Sequence, residues 1–271
     1  VSRWLMDASM AGIGKYYLTP IFPISIFKYK KGVNANPGDP NYDIKKLAIR
    51  SLCKRIYPNI VNCGYSQNVE TPGDPDTEMA TMGCRTLMGY DRNGLGYSKV
   101  GRGNVCPTTM NLPKIGIKHG ICLGERETPD IDGFWAELDE VLHLTELSLI
   151  DRFYHVCKQS VASAKFMYQN GTVADYEKAS FKGIYEAMKH GTLAVGYIGI
   201  AEMCQAMFGK DHSEDTEVWK FALSVVEHIS DFCKAASEKH GLNFSCYATP
   251  AENLCYTYAE ALKKEFGNIK N

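Results

Sequence analysis

Ile44, Leu47, Ala48, Leu52 and Ile56 recur every three or four residues, which predicts a helix opened by Asp43 as cap and stopped before Pro58. Short runs flank it: Phe22 to Lys30 reads as a strand, Gly32 to Tyr42 as a turn-rich connection, and Asn59 to Cys63 as a second short strand. Gly64 to Gly103 is dense in Gly, Pro, Asp and Asn, yet it encloses an apolar island, MATMGCRTLMGY, between Met79 and Tyr90. A loop of this length inside a compact domain is usually functional or disordered, and the island argues for function.

Beyond it, Asn104 to Ile117 reads as extended. A long helix is expected next, with Thr128 as cap, Pro129 at its first position, and a stripe through Phe134, Leu138, Val141, Leu142, Leu149, Phe153 and Val156 on which Thr145 is the one polar residue. The remainder alternates: helix 174–189, strand 192–198, helix 200–208 ended by Gly209, helix 214–240 capped by Ser213 and ended by Gly241, strand 243–248, and a last helix from Pro250. Strands separated by helices long enough for crossovers pair in parallel, so the pattern predicts an α/β sheet or a segment of an α/β barrel.

Composition narrows the partners. A net charge of -1 with 23% charged residues offers no basic excess for nucleic acid or anionic membrane. The most apolar run, Leu193 to Ala201, breaks off at Glu202, far short of the roughly 20 residues of a spanning helix. The ten cysteines are scattered and no secretory signal pattern opens the chain, which together imply reduced thiols and a cytoplasmic location.

Three segments carry candidate chemistry. Gly83-Cys84-Arg85 sits mid-loop among uncharged neighbours, and no His lies within thirty residues of Cys84. Ionic cysteine catalysis needs a stabilised thiolate, whereas a glycine-flanked thiol in a dry pocket suits radical chemistry. On residue type alone, the plain alternative for any lone cysteine is a small buried hydrophobe. Asn104, in Gly101-Arg102-Gly103-Asn104, presents the donor and acceptor that a pair of ribose hydroxyls requires. If strand alternation holds, Cys106 faces the same side as a second candidate thiol, with core packing as its commoner alternative. Thr249-Pro250-Ala251-Glu252 reads as a capping box after a strand, and free amides at a helix start can seat phosphate. Metal binding finds no support, because neither Cys-x-x-Cys nor paired-His spacing occurs.

Taken in order, TPIFPISIFKYKKGVN, PGDPNYDIKKLAI with KRIYPNI, MGCR, GRGNVCPTTMNLPKIGI, GTLAVGYIGIAEMCQAMFG and TPAENL make the chain resemble the anaerobic, glycyl-radical (class III) ribonucleoside-triphosphate reductases from about Thr19 onward. The resemblance implies one partial catalytic domain over residues 1–271, belonging to a ten-stranded α/β barrel, with a central finger loop at about residues 76–103. It implies that Cys84 becomes a thiyl radical that removes the ribose 3′ hydrogen, that Asn104 holds the ribose hydroxyls, and that Thr249, Pro250, Ala251, Glu252 and Asn253 seat the triphosphate. The implied partners are a ribonucleoside triphosphate, a radical-SAM activating protein and, at full length, a second copy of the subunit. Formate or a thiol protein is the implied reductant.

The resemblance also implies a nucleotide-effector domain, a glycyl-radical loop and a four-cysteine zinc site, none of which is found in these residues; no cofactor is expected within them. Cys106-Pro107-Thr108 departs from the family's small and β-branched run. The chain by itself is therefore expected to bind nucleotide weakly and not to turn over. Two rivals stand beside this reading: another glycyl-radical enzyme of the same barrel, such as an acyltransferase or dehydratase, and a noncatalytic nucleotide-binding or assembly fragment.

Overall fold

The structure, a computed structural model, describes residues 1–19, 24–65, 73–79, 81–82, 86–251 and 253–269. Its contacts divide into two compact units: residues 1–88 with 97–99, and residues 89–96 with 100–271.

In the first unit, α1 (Ser2–Ala11) precedes a β-α-β passage: β1 (Ile26–Tyr29), α2 (Tyr42–Arg55) and β2 (Asn59–Asn62). The two strands pair in parallel, Ile26 beside Asn59, which requires the crossover that α2 supplies. Met6, Phe27, Leu47 and Ala48 form the small core. The Arg55 side chain donates to the carbonyls of Met10, Ala11 and Tyr17, satisfying the last carbonyls of α1. Asp43 does not cap α2; it lies in the first turn and pairs with Arg3. Two short strands, β3 (Thr81–Met82) and β4 (Thr86–Leu87), pair antiparallel. Gly83, Cys84 and Arg85 between them lie outside the described residues.

The second unit is a parallel sheet in the order β5 (Asn104–Asn111), β6 (Thr192–Ile198), β7 (Asn243–Ala248). Its crossovers carry α3 (Leu112–His119), α4 (Ile131–Cys157), α5 (Lys165–Gln169), α6 (Tyr185–Met188), α7 (Ile200–Phe208) and α8 (Thr216–His240), and α9 (Asn253–Phe266) follows β7. The expected α/β class is the observed one. One face of the sheet, through Cys106, Met110, Leu193, Val195 and Phe244, packs into a core built with the apolar stripes of α4, α7 and α8. Phe134, Leu138, Leu142, Leu149 and Phe153 of α4 are fully buried there, as their spacing predicts. The stripe hides a second polar residue besides Thr145: Glu146 is 4% exposed and accepts from Lys239 and His240 of α8.

Several boundaries differ from the expected ones. Lys114 to Ile117 is helical, not extended, because Asn111 caps α3 by accepting from the Lys114 N–H and Pro113 occupies its first turn. Asp130 rather than Thr128 caps α4, and Asp215 rather than Ser213 caps α8. The expected helix 174–189 is a 3₁₀ turn at Tyr176–Lys178, preceded by Asp175 at a left-handed φ of 51°, and the short α6, separated by a non-helical stretch with a Ser180–Gly183 bridge.

Candidate functional site

The face of the β5-β6-β7 sheet opposite the helix-covered core is made largely of small and polar side chains, with α9 meeting only its C-terminal end among the described residues. Ala194 is flanked by Pro107 and Ser245, and Gly196 by Thr109 and Tyr247. A Cβ on Gly196 would stand 2.3 Å from Thr249 Oγ1 and 2.9 Å from Thr109 Oγ1, so glycine is required for the two threonines to meet above it. Their hydroxyls hydrogen-bond at 2.9 Å, and Tyr258 of α9 donates to the Thr109 carbonyl at 2.6 Å. These contacts fix the start of α9 against the C-terminal end of the sheet.

Asn104 belongs to this face and Cys106 does not. Asn104 pairs with Thr192 and Cys106 with Leu193, so Val105 is an extra residue, a bulge that reverses the strand's parity. The expectation that both face one side is corrected: Cys106, 1% exposed, packs into the helix-covered core beside Leu193, while Asn104 takes the side of Thr192. Asn104 Oδ1 is buried and has no hydrogen-bond partner. Burial pushes the Cys106 thiol above its ordinary range, the reverse of what an ionic nucleophile needs.

The N-terminal end of the sheet is closed by a polar clamp that the sequence did not reveal. Asp91, 1% exposed, accepts from Asn243 Nδ2 at 2.7 Å and His190 Nδ1 at 2.8 Å, and from the backbone N–H groups of Asn93 and Leu95. The other His190 nitrogen lies 3.2 Å from Asp175. Arg102, from the GRGN motif, donates to the carbonyls of His190 and Gly89. Gly101, at φ 69°, lies against the backbone of Ala174, which supplies the close approach its glycines suggested. Residues 89–96 are thereby tied to the first residues of β6 and β7. Only the turn-forming Asp-Arg-Asn-Gly at 91–94 marked the place in sequence, and neither His190 nor Asn243 stands in a recognisable spacing with it.

At the opposite end, α9 begins at Asn253, not at Pro250, and the Thr249 hydroxyl serves Thr109 rather than a helix cap. Thr249, Pro250, Ala251 and Asn253 are brought together there by their sequence proximity, while Glu252 lies outside the described residues. A cavity of about 350 Å³ opens between α3, α7 and α9. Its lining is mostly apolar, with Asn111, Gln205, Tyr258 and one carboxylate, Glu202, as its main polar groups and no Lys, Arg or His, so it offers no cation to a polyphosphate. Among the described residues no group of His, Cys, Asp and Glu is placed to hold a metal ion, and no helix is long and apolar enough to cross a membrane.

The fold defines a segment of an α/β enzyme scaffold with a polar sheet face, and comparison with known proteins gives it a family. The family model of the anaerobic ribonucleoside-triphosphate reductases matches residues 1–271. The reductase of that name from Haemophilus influenzae is 33% identical over all of this chain, and that from Escherichia coli 35% identical over 99% of it. The chain spans 36% of the length of each, about a third. Among solved structures, the anaerobic ribonucleotide reductase of Thermotoga maritima in complex with dATP and CTP matches 98% of this chain and 38% of its own, with a TM-score of 0.58 at 18% identity. A second Thermotoga structure, with glycerol in the active site, has the same TM-score at 16% identity. At that identity the likeness is one of fold. The chain belongs to the anaerobic ribonucleoside-triphosphate reductase family.

Proposed function

We propose that these residues form part of the catalytic subunit of an anaerobic ribonucleotide reductase, converting ribonucleoside triphosphates to deoxyribonucleoside triphosphates. The observation that carries the reading is Asn104: a motif amide whose buried oxygen is unpartnered on a polar sheet face, ready to accept from a ribose hydroxyl. Phosphates bind at residues 249–253, next to the start of α9, whose dipole favours negative charge.

Cys84 is the hydrogen-atom carrier. As a thiyl radical it takes the 3′ hydrogen, forming S–H and leaving a carbon-centred radical, and it returns the hydrogen at the end of the cycle. Between those steps the 2′ oxygen departs as water and the reductant, formate or a thiol protein, supplies two electrons. Hydrogen-atom exchange needs no neighbouring base, in keeping with a sequence around Cys84 that is uncharged apart from Arg85. A glycyl radical generated by a radical-SAM activating protein, and held elsewhere in the polypeptide or in a partner, supplies the oxidising equivalent. A structural zinc, a second copy of the subunit and a cytoplasmic setting complete the reading.

The test is Cys84→Ser in the full-length, anaerobically activated protein. Deoxynucleotide formation is expected to fall below detection while ribonucleotide binding is retained. Turnover by the serine variant would falsify the assignment.

A further inference from the structure

Buried side-chain atoms without a partner among the described residues include Asn104 Oδ1, His212 Nδ1 and Ser245 Oγ. His212 belongs to the turn before α8, but Ser245 shares the polar sheet face with Asn104. Its strand neighbours Phe244 and Cys246 both pack into the helix-covered core, which leaves Ser245 on the other side. The row it occupies, Pro107, Ala194, Ser245, contains no other polar side chain. In the next row the Thr109 and Thr249 hydroxyls already engage each other. A buried hydroxyl left unbonded costs about 1–3 kcal/mol, so its retention calls for a partner that binds there.

The geometry of the sheet says what kind. Asn104 lies two strands from Ser245 and one row nearer the N-terminal ends, about 12 Å away by strand spacing and rise. No single functional group bridges that gap, but an extended ligand does. Thr249 lies further toward the C-terminal end, so the polar groups run in the order Asn104, Ser245, Thr249. We propose that Ser245 is a substrate-binding residue whose hydroxyl donates to the sugar–phosphate junction of a nucleotide. That nucleotide has its ribose hydroxyls at Asn104 and its phosphates at residues 249–253. The inference rests on the reading of the face given above and adds to it the group that holds the 5′ side of the sugar.

The test compares Ser245→Ala, Ser245→Thr and Asn104→Ala in the full-length, anaerobically activated protein with the four common ribonucleoside triphosphates. Loss of one hydrogen bond to substrate is expected to raise KM roughly fivefold to tenfold in Ser245→Ala, more than it lowers kcat, and the hydroxyl of Ser245→Thr restores most of it. Melting temperature should hold or rise, because the alanine removes an unpartnered polar atom. An unchanged KM overturns the proposal, whether the protein keeps its stability, which leaves the hydroxyl idle, or loses it, which makes the serine structural. If Asn104→Ala also leaves KM and kcat untouched, the nucleotide reading of the whole face fails rather than the role of Ser245 alone.

Discussion

Burial would raise the pKa of Asp91, but the Asn243 amide, the His190 ring and two backbone N–H groups outweigh it and hold the carboxylate below its usual range. A depressed carboxylate stabilises the fold above its unfolded pKa, near 4, and that contribution disappears as pH falls through the lower folded value. Asp175, held at about 2 by Lys178 and His190, has the same sign. The clamp should therefore be intact at neutral pH and loosen below about pH 4, seen as faster amide exchange over residues 89–96. Asp91→Ala leaves Asn243 and His190 without their acceptor and is expected to cost about 3 kcal/mol in denaturant unfolding at pH 7. A cost below about 0.5 kcal/mol, the range of ordinary surface changes, would show that the clamp does not stabilise the fold. The thiols separate in the same physical way. Burial drives Cys157 and Cys233 up to about 12, so they should resist alkylation in the native chain, while exposed Cys53 and Cys255 react at once.

Among the elements, legibility followed how far each is decided by its own residues. β6, α7 and β7 were read to the residue, because dense apolar runs end at Gly209 and Gly241, both in the left-handed region that glycine tolerates. α3 is hard to read because Lys114-Ile115-Gly116-Ile117 has strand-like composition, and distant packing adds to the local Asn111 cap in deciding its helix. A Cβ at Gly116 would stand 2.8 Å from the Met203 carbonyl of α7, and one at Gly120 would stand 2.1 Å from that of Ala206. The bulge at Val105 was equally invisible, since nothing in Asn104-Val105-Cys106 announces an extra residue, and it decides which of the two candidates faces the polar side. Two substitutions separate the local and tertiary contributions to α3. Asn111→Ala removes the cap and should cost about 1 kcal/mol, whereas Gly116→Val forces α3 from α7 and should cost about 3 kcal/mol or more. Equal losses in thermal unfolding would mean that close helix approach is not what holds α3 in place.

At the scale of the molecule, a three-stranded parallel sheet covered by helices on one face has two edges, and among the described residues no further strand pairs with either. The edges are not alike. Pro107 removes a ladder donor from the middle of β5, which blunts that edge, while β7 runs from Asn243 to Ala248 without proline. Self-pairing of the 271-residue chain should therefore proceed through β7. Light scattering on dilution is expected to show a reversible, concentration-dependent rise in mass. Ala248→Lys, at the exposed end of that strand, should suppress the rise because a charged edge side chain disfavours strand addition. Because the β7 edge carries backbone groups rather than the active face, the same variant in the full-length protein tests the barrel reading. If β7 pairs there with a further strand of the same polypeptide, the lysine should lower stability without creating or abolishing self-association. A monomeric 271-residue chain at every concentration would show that the β7 edge is already protected within these residues, and that no neighbouring strand is needed to cover it.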